Sequence, residues 1–210
     1  MQNNRDLLWY RCNIKKNSTG AKILEFSYDI SGFALFEISK KTKKQYRYIK
    51  KIVLSLKYSG YLESENRGIY SITQKGRWFV ICQRLDGLSF LSLCLLAEVY
   101  HRVNSNPELF YQFSSFRQCY EKDYDENFTY MAIYRRQNIS KSLKHLTSRN
   151  LVYASEDFIK MTNQMIEFLK KYHKDLELLF LWCSDMYEKC ICNTIENNNF
   201  NASGILQGPN

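Results

Sequence analysis

With 210 residues, 45% of them hydrophobic, 15% aromatic and only 2 of them proline, the chain is long enough for one large domain or two small ones and has the profile of a compact, helix-rich protein, not a disordered one. Its formal charge of +9 is lopsided: residues 1–87 hold 17 Lys and Arg against 7 Asp and Glu, whereas residues 88–210 hold 13 against 14. A positive field confined to one half favours phosphate polymers or anionic lipid heads, and no small-molecule substrate is evident.

The opening stretch, MQNNRDLLWYRCN, lacks the apolar core and small-residue cleavage site of a secretory signal. The strongly apolar run from Leu88 to Ala97 is too short to cross a bilayer and is expected as a buried helix. We therefore expect a cytoplasmic, nucleoid-associated protein with no membrane partner. In that compartment the 7 irregularly spaced cysteines are expected as buried thiols. Cys183, Cys190, Cys192 and His173 contain no C-x-x-C pair, so no metal or other cofactor is expected.

After a basic leader (residues 1–19), AKILEFSYDI predicts a short amphipathic helix with Ile23, Leu24 and Phe26 inward, broken at Ser31-Gly32. FALFEISKKT predicts a second helix with Leu35 and Ile38 inward. Thr42 suits the N-cap of a third, expected from about Lys43 to Ser59, since its hydroxyl can accept from a free first-turn N–H. Ile49, Ile52, Val53 and Leu56 fall on one stripe of that helix, and Gly60 stands where a left-handed C-terminal cap is wanted. Tyr61 and Leu62 begin a strand, SENRG turns the chain, IYSI returns it, and Thr73 caps a further helix through Trp78, Phe79 and Ile81.

The pattern Gln45-Tyr46, Ile49, Val53, Leu56, Gly60-Tyr61-Leu62, followed by Ile69-Tyr70, Ile72-Thr73, Lys75-Gly76 and Phe79, resembles the winged helix-turn-helix domains common in archaeal transcription regulators. It covers roughly residues 20–87, and its most specific element is the Tyr70 to Gly76 turn after the hairpin. The resemblance implies DNA binding through the third helix and the wing. On that helix Lys40, Lys44, Arg47 and Lys51 would follow three- and four-residue steps, opposite the apolar stripe, and no acid lies between Glu37 and Glu63. Lys40, Thr42, Lys43, Lys44, Gln45, Arg47, Tyr48 and Lys51 are the candidates for the major groove of double-stranded DNA, with Gln45 suited to read adenine. Arg67, at the wing tip, is the candidate for the neighbouring backbone or minor groove.

About ninety residues on, Ile139, Leu143, Leu146, Asn150, Leu151 and Val152 repeat the third helix and its exit, and Met161-Thr162 answers Ile72-Thr73. Asn is the next-best residue for a left-handed cap. This second copy (residues 88–162) carries Glu156 and Asp157 in its wing and is preceded by EKDYDEN; both would repel phosphate. Arg135, Arg136, Lys141 and Lys144 nevertheless give its helix a basic side and are secondary DNA candidates. A calcium loop on Asp123, Asp125 and Asn127 fails, because Phe128 and Tyr134 stand where a glycine and a bidentate Glu are required.

From Asn163 the pattern is helical almost without interruption. Met165, Leu169, Tyr172, Leu176, Leu179, Cys183, Met186 and Cys190 recur at steps of four and three, a heptad seam, on a helix (residues 163–192) that would be about 42 Å long. Leu169, Tyr172, Leu176, Leu179, Cys183 and Met186 are the candidates for a homodimer interface, and the Asn-rich residues 193–210 are expected as a disordered tail.

The expected fold is mostly α with small β-hairpin wings, an α+β class: tandem winged helix-turn-helix domains followed by a long C-terminal helix. No enzyme is expected, since the 3 histidines are isolated and no Gly-rich phosphate loop occurs. The leading function is a dimeric DNA-binding transcription regulator. The alternatives are a replication initiator or chromatin-type DNA binder, and a protein-interaction adaptor that uses winged helices without DNA.

Overall fold

The computed structural model describes residues 14–66, 68–105, 111–112, 136–154 and 158–185. They form a mostly helical α+β structure with two small antiparallel sheets, divided into two compact units, residues 1–90 and 91–210.

In the first unit Ser18 accepts a hydrogen bond from the Ala21 N–H and opens α1 (Thr19–Tyr28). Ile23 and Leu24 are buried on its inner face and Phe26 only half so. Gly32 leads into a two-residue strand, β1 (Phe33–Ala34), and α2 (Leu35–Thr42) follows at once, with Glu37 accepting from the Ala34 N–H and with Leu35 and Ile38 buried. Next comes α3 (Tyr46–Tyr58), which buries Ile49, Val53 and Leu56; each fully buried aliphatic side chain of this kind contributes about 1.5–3 kcal/mol. It ends at Gly60, whose φ of +75° suits glycine, with Gly60 N–H donating to Lys57 O (2.9 Å) and Tyr61 N–H to Leu56 O (2.9 Å). Strands β2 (Leu62–Asn66) and β3 (Ile69–Ile72) make a hairpin with a register irregularity between Glu63 and Asn66. β1 pairs with the outer edge of β3, Phe33 opposite Tyr70, so the sheet order is β1-β3-β2. Thr73 then caps α4 (Gln74–Arg84) by accepting from the Gly76 N–H.

Two expectations need correction here. Thr42 does not cap α3: it is the last residue of α2, and its hydroxyl donates to Ile38 O at 2.7 Å. The third helix begins at Tyr46, three residues later than expected, because Lys43 takes a left-handed conformation (φ +52°) that stops α2. Strand β1 was not expected at all; two residues carry no periodicity, and the pairing is made with a segment 37 residues away.

α5 (Phe90–Ser105) carries the chain into the second unit, and residues 92–100 are buried without a break, as suits a helix apolar on every side. The second unit continues with β4 (Tyr111–Gln112), α6 (Arg136–Thr147), β5 (Tyr153–Ala154), β6 (Phe158–Lys160) and α7 (Asn163–Lys170). Its sheet order, β4-β6-β5, has the same pattern as the first. The exit of α6 repeats that of α3: Asn150 is left-handed (φ +54°), Asn150 N–H donates to Thr147 O (2.9 Å), and Leu151 N–H donates to Leu146 O (3.0 Å).

The C-terminal helix is not one uninterrupted rod. α7 closes at Lys170, Tyr172 N–H bonds back three residues to Leu169 O at 2.8 Å, and a further helix, α8, occupies 173–185. The heptad side chains Leu169, Tyr172, Leu176, Leu179 and Cys183 are all buried within this chain. These side chains of the seam expected to meet a second copy are thus already covered by the chain itself. His101 helps join α5 to α8, with Nδ1 2.7 Å from Glu177 Oε2 and its ring stacked on Phe180. Met186 and Cys190, the loop at 121–127, the leader to residue 13 and the tail at 193–210 lie outside the described residues.

Candidate nucleic-acid interface

The cations of the first unit sort into two groups. In the first, side chains are tied into the structure. Arg84 bonds Glu25 (2.7 Å) and Asp29 (3.2 Å) and lies over the Tyr28 ring; Arg77 also lies over that ring and donates to Tyr28 O (3.2 Å). Lys16 pairs with Asp86 (3.0 Å), and Lys75 donates to Ser59 O (2.7 Å) while facing the Tyr61 ring. These bonds fasten α4 to α1 and to the end of α3.

The second group is the basic run. Lys40, Lys43, Lys44, Arg47, Lys50 and Lys51 are all exposed, and none of them forms an ion pair among the described residues. They do not share one helix face, as the sequence spacing suggested. Lys40 sits in the last turn of α2, Lys43, Lys44 and Gln45 make the turn, and Arg47, Tyr48, Lys50 and Lys51 lie on the first half of α3. The result is a cationic corner. It is held by local bonds: Lys44 N–H donates to Ser39 O (3.2 Å), and the Ser39 hydroxyl donates to Lys44 O (2.7 Å). Sequence reasoning missed Ser39, whose role depends on Lys43 being left-handed, a feature that a lysine does not announce.

The start of α3 adds to the field. Its cap residue, Gln45, makes no side-chain hydrogen bond to the helix, and its first turn holds no acid, whereas Ser18, Thr73 and Thr162 each cap their helices. The first-turn N–H groups of α3 therefore face solvent at the end where the helix dipole places roughly half a positive charge. Lysines beside unmet N–H donors form a surface that receives anions. Tyr46 and Tyr48 are about half exposed at the same end, at 51% and 48%, and offer ring faces and hydroxyls beside the lysines.

The remaining candidates stand elsewhere. Arg67 lies outside the described residues, as does Arg135, and of Arg136 only the backbone at the start of α6 is described. On α6, Lys141 and Lys144 are exposed, on either side of buried Ser142 and Leu143. Arg149, near the end of that surface, turns back to donate to His145 O at 3.3 Å. His145 Nδ1 is 3.2 Å from the Ser92 hydroxyl, and burial, followed by the charge of Arg149, lowers its pKa from the ordinary histidine value. Among the described residues no helix is long and apolar enough to cross a membrane, and no three metal-ligating side chains come together. Comparison of the chain with family models, curated proteins and solved structures finds no match.

Proposed function

We propose that this chain is a DNA-binding transcription regulator whose first unit is a winged helix-turn-helix, docking the start of α3 and the turn before it in the major groove. The observation that carries the reading is the corner itself: seven exposed cations from Lys40 to Lys51 without an acidic partner among the described residues, around an uncapped helix start. The order α1, α2, α3, hairpin, α4, with β1 on the hairpin's outer edge, is the order such a domain has, and it supports the reading. Lys43, Lys44 and Lys51 meet phosphates, Gln45 and Arg47 reach base edges, and the β2–β3 hairpin lies along the flanking backbone. The second unit, with the same exit geometry and fewer free cations among the described residues, extends the footprint or holds a protein partner. A homodimer built on the heptad seam is not part of the proposal, because those side chains are already buried.

The test is a titration of a labelled duplex by fluorescence anisotropy across a range of salt concentrations. A linear fall of log affinity with log salt is expected, with a slope near −0.9 for each phosphate met. Absence of binding at low salt sinks the DNA reading and leaves the interaction adaptor. Occupancy along the genome then separates a regulator, at a few discrete sites, from a chromatin-type or replication protein with broad coverage.

A further inference from the structure

The inner face of α8 buries Leu176, Leu179 and Cys183, yet its outer face is not wholly polar: Leu178 and Leu181, one turn apart, are 47% and 57% exposed. Tyr153 and Phe168, also exposed in the second unit, each hold a lysine ammonium over the ring, Lys160 at 5.5 Å and Lys171 at 3.6 Å. Aliphatic side chains offer a cation no such seat, and two leucines side by side in water favour a second apolar surface. Lys174, Leu178, Leu181 and Asp185 recur at steps of four, three and four, so they form one stripe along the outer face, and all four are exposed. Lys174 forms no ion pair among the described residues and stands in the first turn of α8, where the helix dipole favours an acid. Its charge therefore serves neither a neighbour nor the helix.

We propose that the outer face of α8 pairs with the same face of a second copy of this chain, the two helices running antiparallel about a two-fold axis between Leu178 and Leu181. The stripe is its own complement in that arrangement. Lys174 and Asp185 are equally far from the midpoint of the leucines, five and a half residues or about 8 Å on either side. Turning one helix end for end thus sets Leu178 against the partner copy's leucine at 181, and Lys174 against its aspartate at 185, twice over by symmetry. A parallel pair would instead set lysine against lysine and aspartate against aspartate, so the charges select the direction while the leucines supply the attraction. This face lies opposite the buried heptad side chains, and the pairing does not rest on the DNA reading.

The test follows the full chain, without DNA, by sedimentation equilibrium from about 1 to about 200 µM, because a seam about 20 Å long belongs to the low end of interface sizes and should give a micromolar dimer. A reversible monomer–dimer equilibrium is expected. Leu178→Glu together with Leu181→Glu should leave a monomer at every concentration, with circular dichroism unchanged, since both positions are exposed. Charge reversal then tests the direction. Lys174→Glu and Asp185→Lys should each weaken the dimer about tenfold, because each turns two symmetry-related attractions into repulsions, and the two combined should restore it to within about twofold. In a parallel pair either reversal only exchanges one repulsion for another. A monomer throughout the concentration range would overturn the proposal, as would a dimer that survives the two glutamates. A dimer lost with the leucines but indifferent to both single reversals would overturn the antiparallel seam. None of these outcomes bears on duplex binding, and a chain that fails to bind a duplex can still pair in this way.

Discussion

α3 and α6 leave their helices by the same device and then part company. Gly60 and Asn150 are both left-handed, each sends its N–H to the carbonyl three residues back, and the next residue sends its own to the carbonyl five back. Beyond the hairpin, Thr73 accepts from the Gly76 N–H and Thr162 from the Met165 N–H, both at 3.2 Å. The frame is common. What differs is the distance at which the parts meet and the charge they carry. At Gly76 an added Cβ would lie 2.4 Å from Tyr61 O and 2.6 Å from Ile72 Cγ1, while the matching position in the second unit holds the whole side chain of Met165. A handful of cap and turn residues can thus specify a backbone frame, while its surface charge and the closeness of its layers vary independently.

The sharpest way to break the comparison is to remove charge from one frame and then from the other. Replacing Lys44, Arg47 and Lys51 by Ala should reduce the salt slope of duplex binding by about 1.8, for the two lysines proposed to meet phosphates, and the affinity at 0.1 M salt by two to three orders of magnitude, whereas Lys141→Ala with Lys144→Ala should change the slope by less than about one unit. Equal losses would make the two units equal readers of DNA.

Next in size is the joint. Gly76→Ala should cost about 2–3 kcal/mol in urea denaturation, since Tyr61 O is backbone and cannot step aside, while Met165→Ala, at a half-buried position, should cost about 1 kcal/mol. A smaller effect is expected at the corner. Lys43→Gly should relieve the left-handed strain and raise stability by about 0.5 kcal/mol, net of glycine's extra chain entropy, yet weaken duplex binding about tenfold at 0.1 M salt. A gain in both would remove Lys43 from the interface.

The smallest effect is a pH dependence confined to the second unit, where all 3 histidines lie. The pKa of His145 is lowered in the folded state by burial and by Arg149, so below the ordinary histidine value the unfolded chain holds more protons than the folded one. The corresponding stability is complete above about pH 6.5 and is lost as pH falls toward the depressed folded value. Melting followed from pH 7.5 down to 5.5 should show a steeper fall for the unaltered chain than for His145→Gln, and an identical fall would remove His145 as a cause.

The caps were legible because their chemistry is local: Thr73, Thr162, Gly60 and Asn150 each announce a backbone need that few other residues meet. The inward residues of α1, α2 and α3 were legible from spacing, which reports a buried face. It does not report what covers that face, and for this reason Leu169, Leu176 and Leu179 read as an interface although they are already buried within the chain. Of the site, the identity of the basic residues was legible and their arrangement was not. An unbroken basic run looks like one helix stripe, and the left-handed Lys43 bends it into a corner.

The far end of α3 is bolted down. Thr73 donates its N–H to Tyr61 O (3.1 Å) and its hydroxyl to Gly60 O (2.7 Å), and Lys75 reaches Ser59 O (2.7 Å), while at the near end Gln45 makes no side-chain cap bond to the helix. Mechanically this is a cantilever, clamped at its root in the hairpin and α4 and loaded at its tip. On the proposed docking, a small tilt at Tyr46 would follow the local width of a groove without disturbing the root, and accommodation to a curved or compressed duplex would fall at the end proposed to meet DNA.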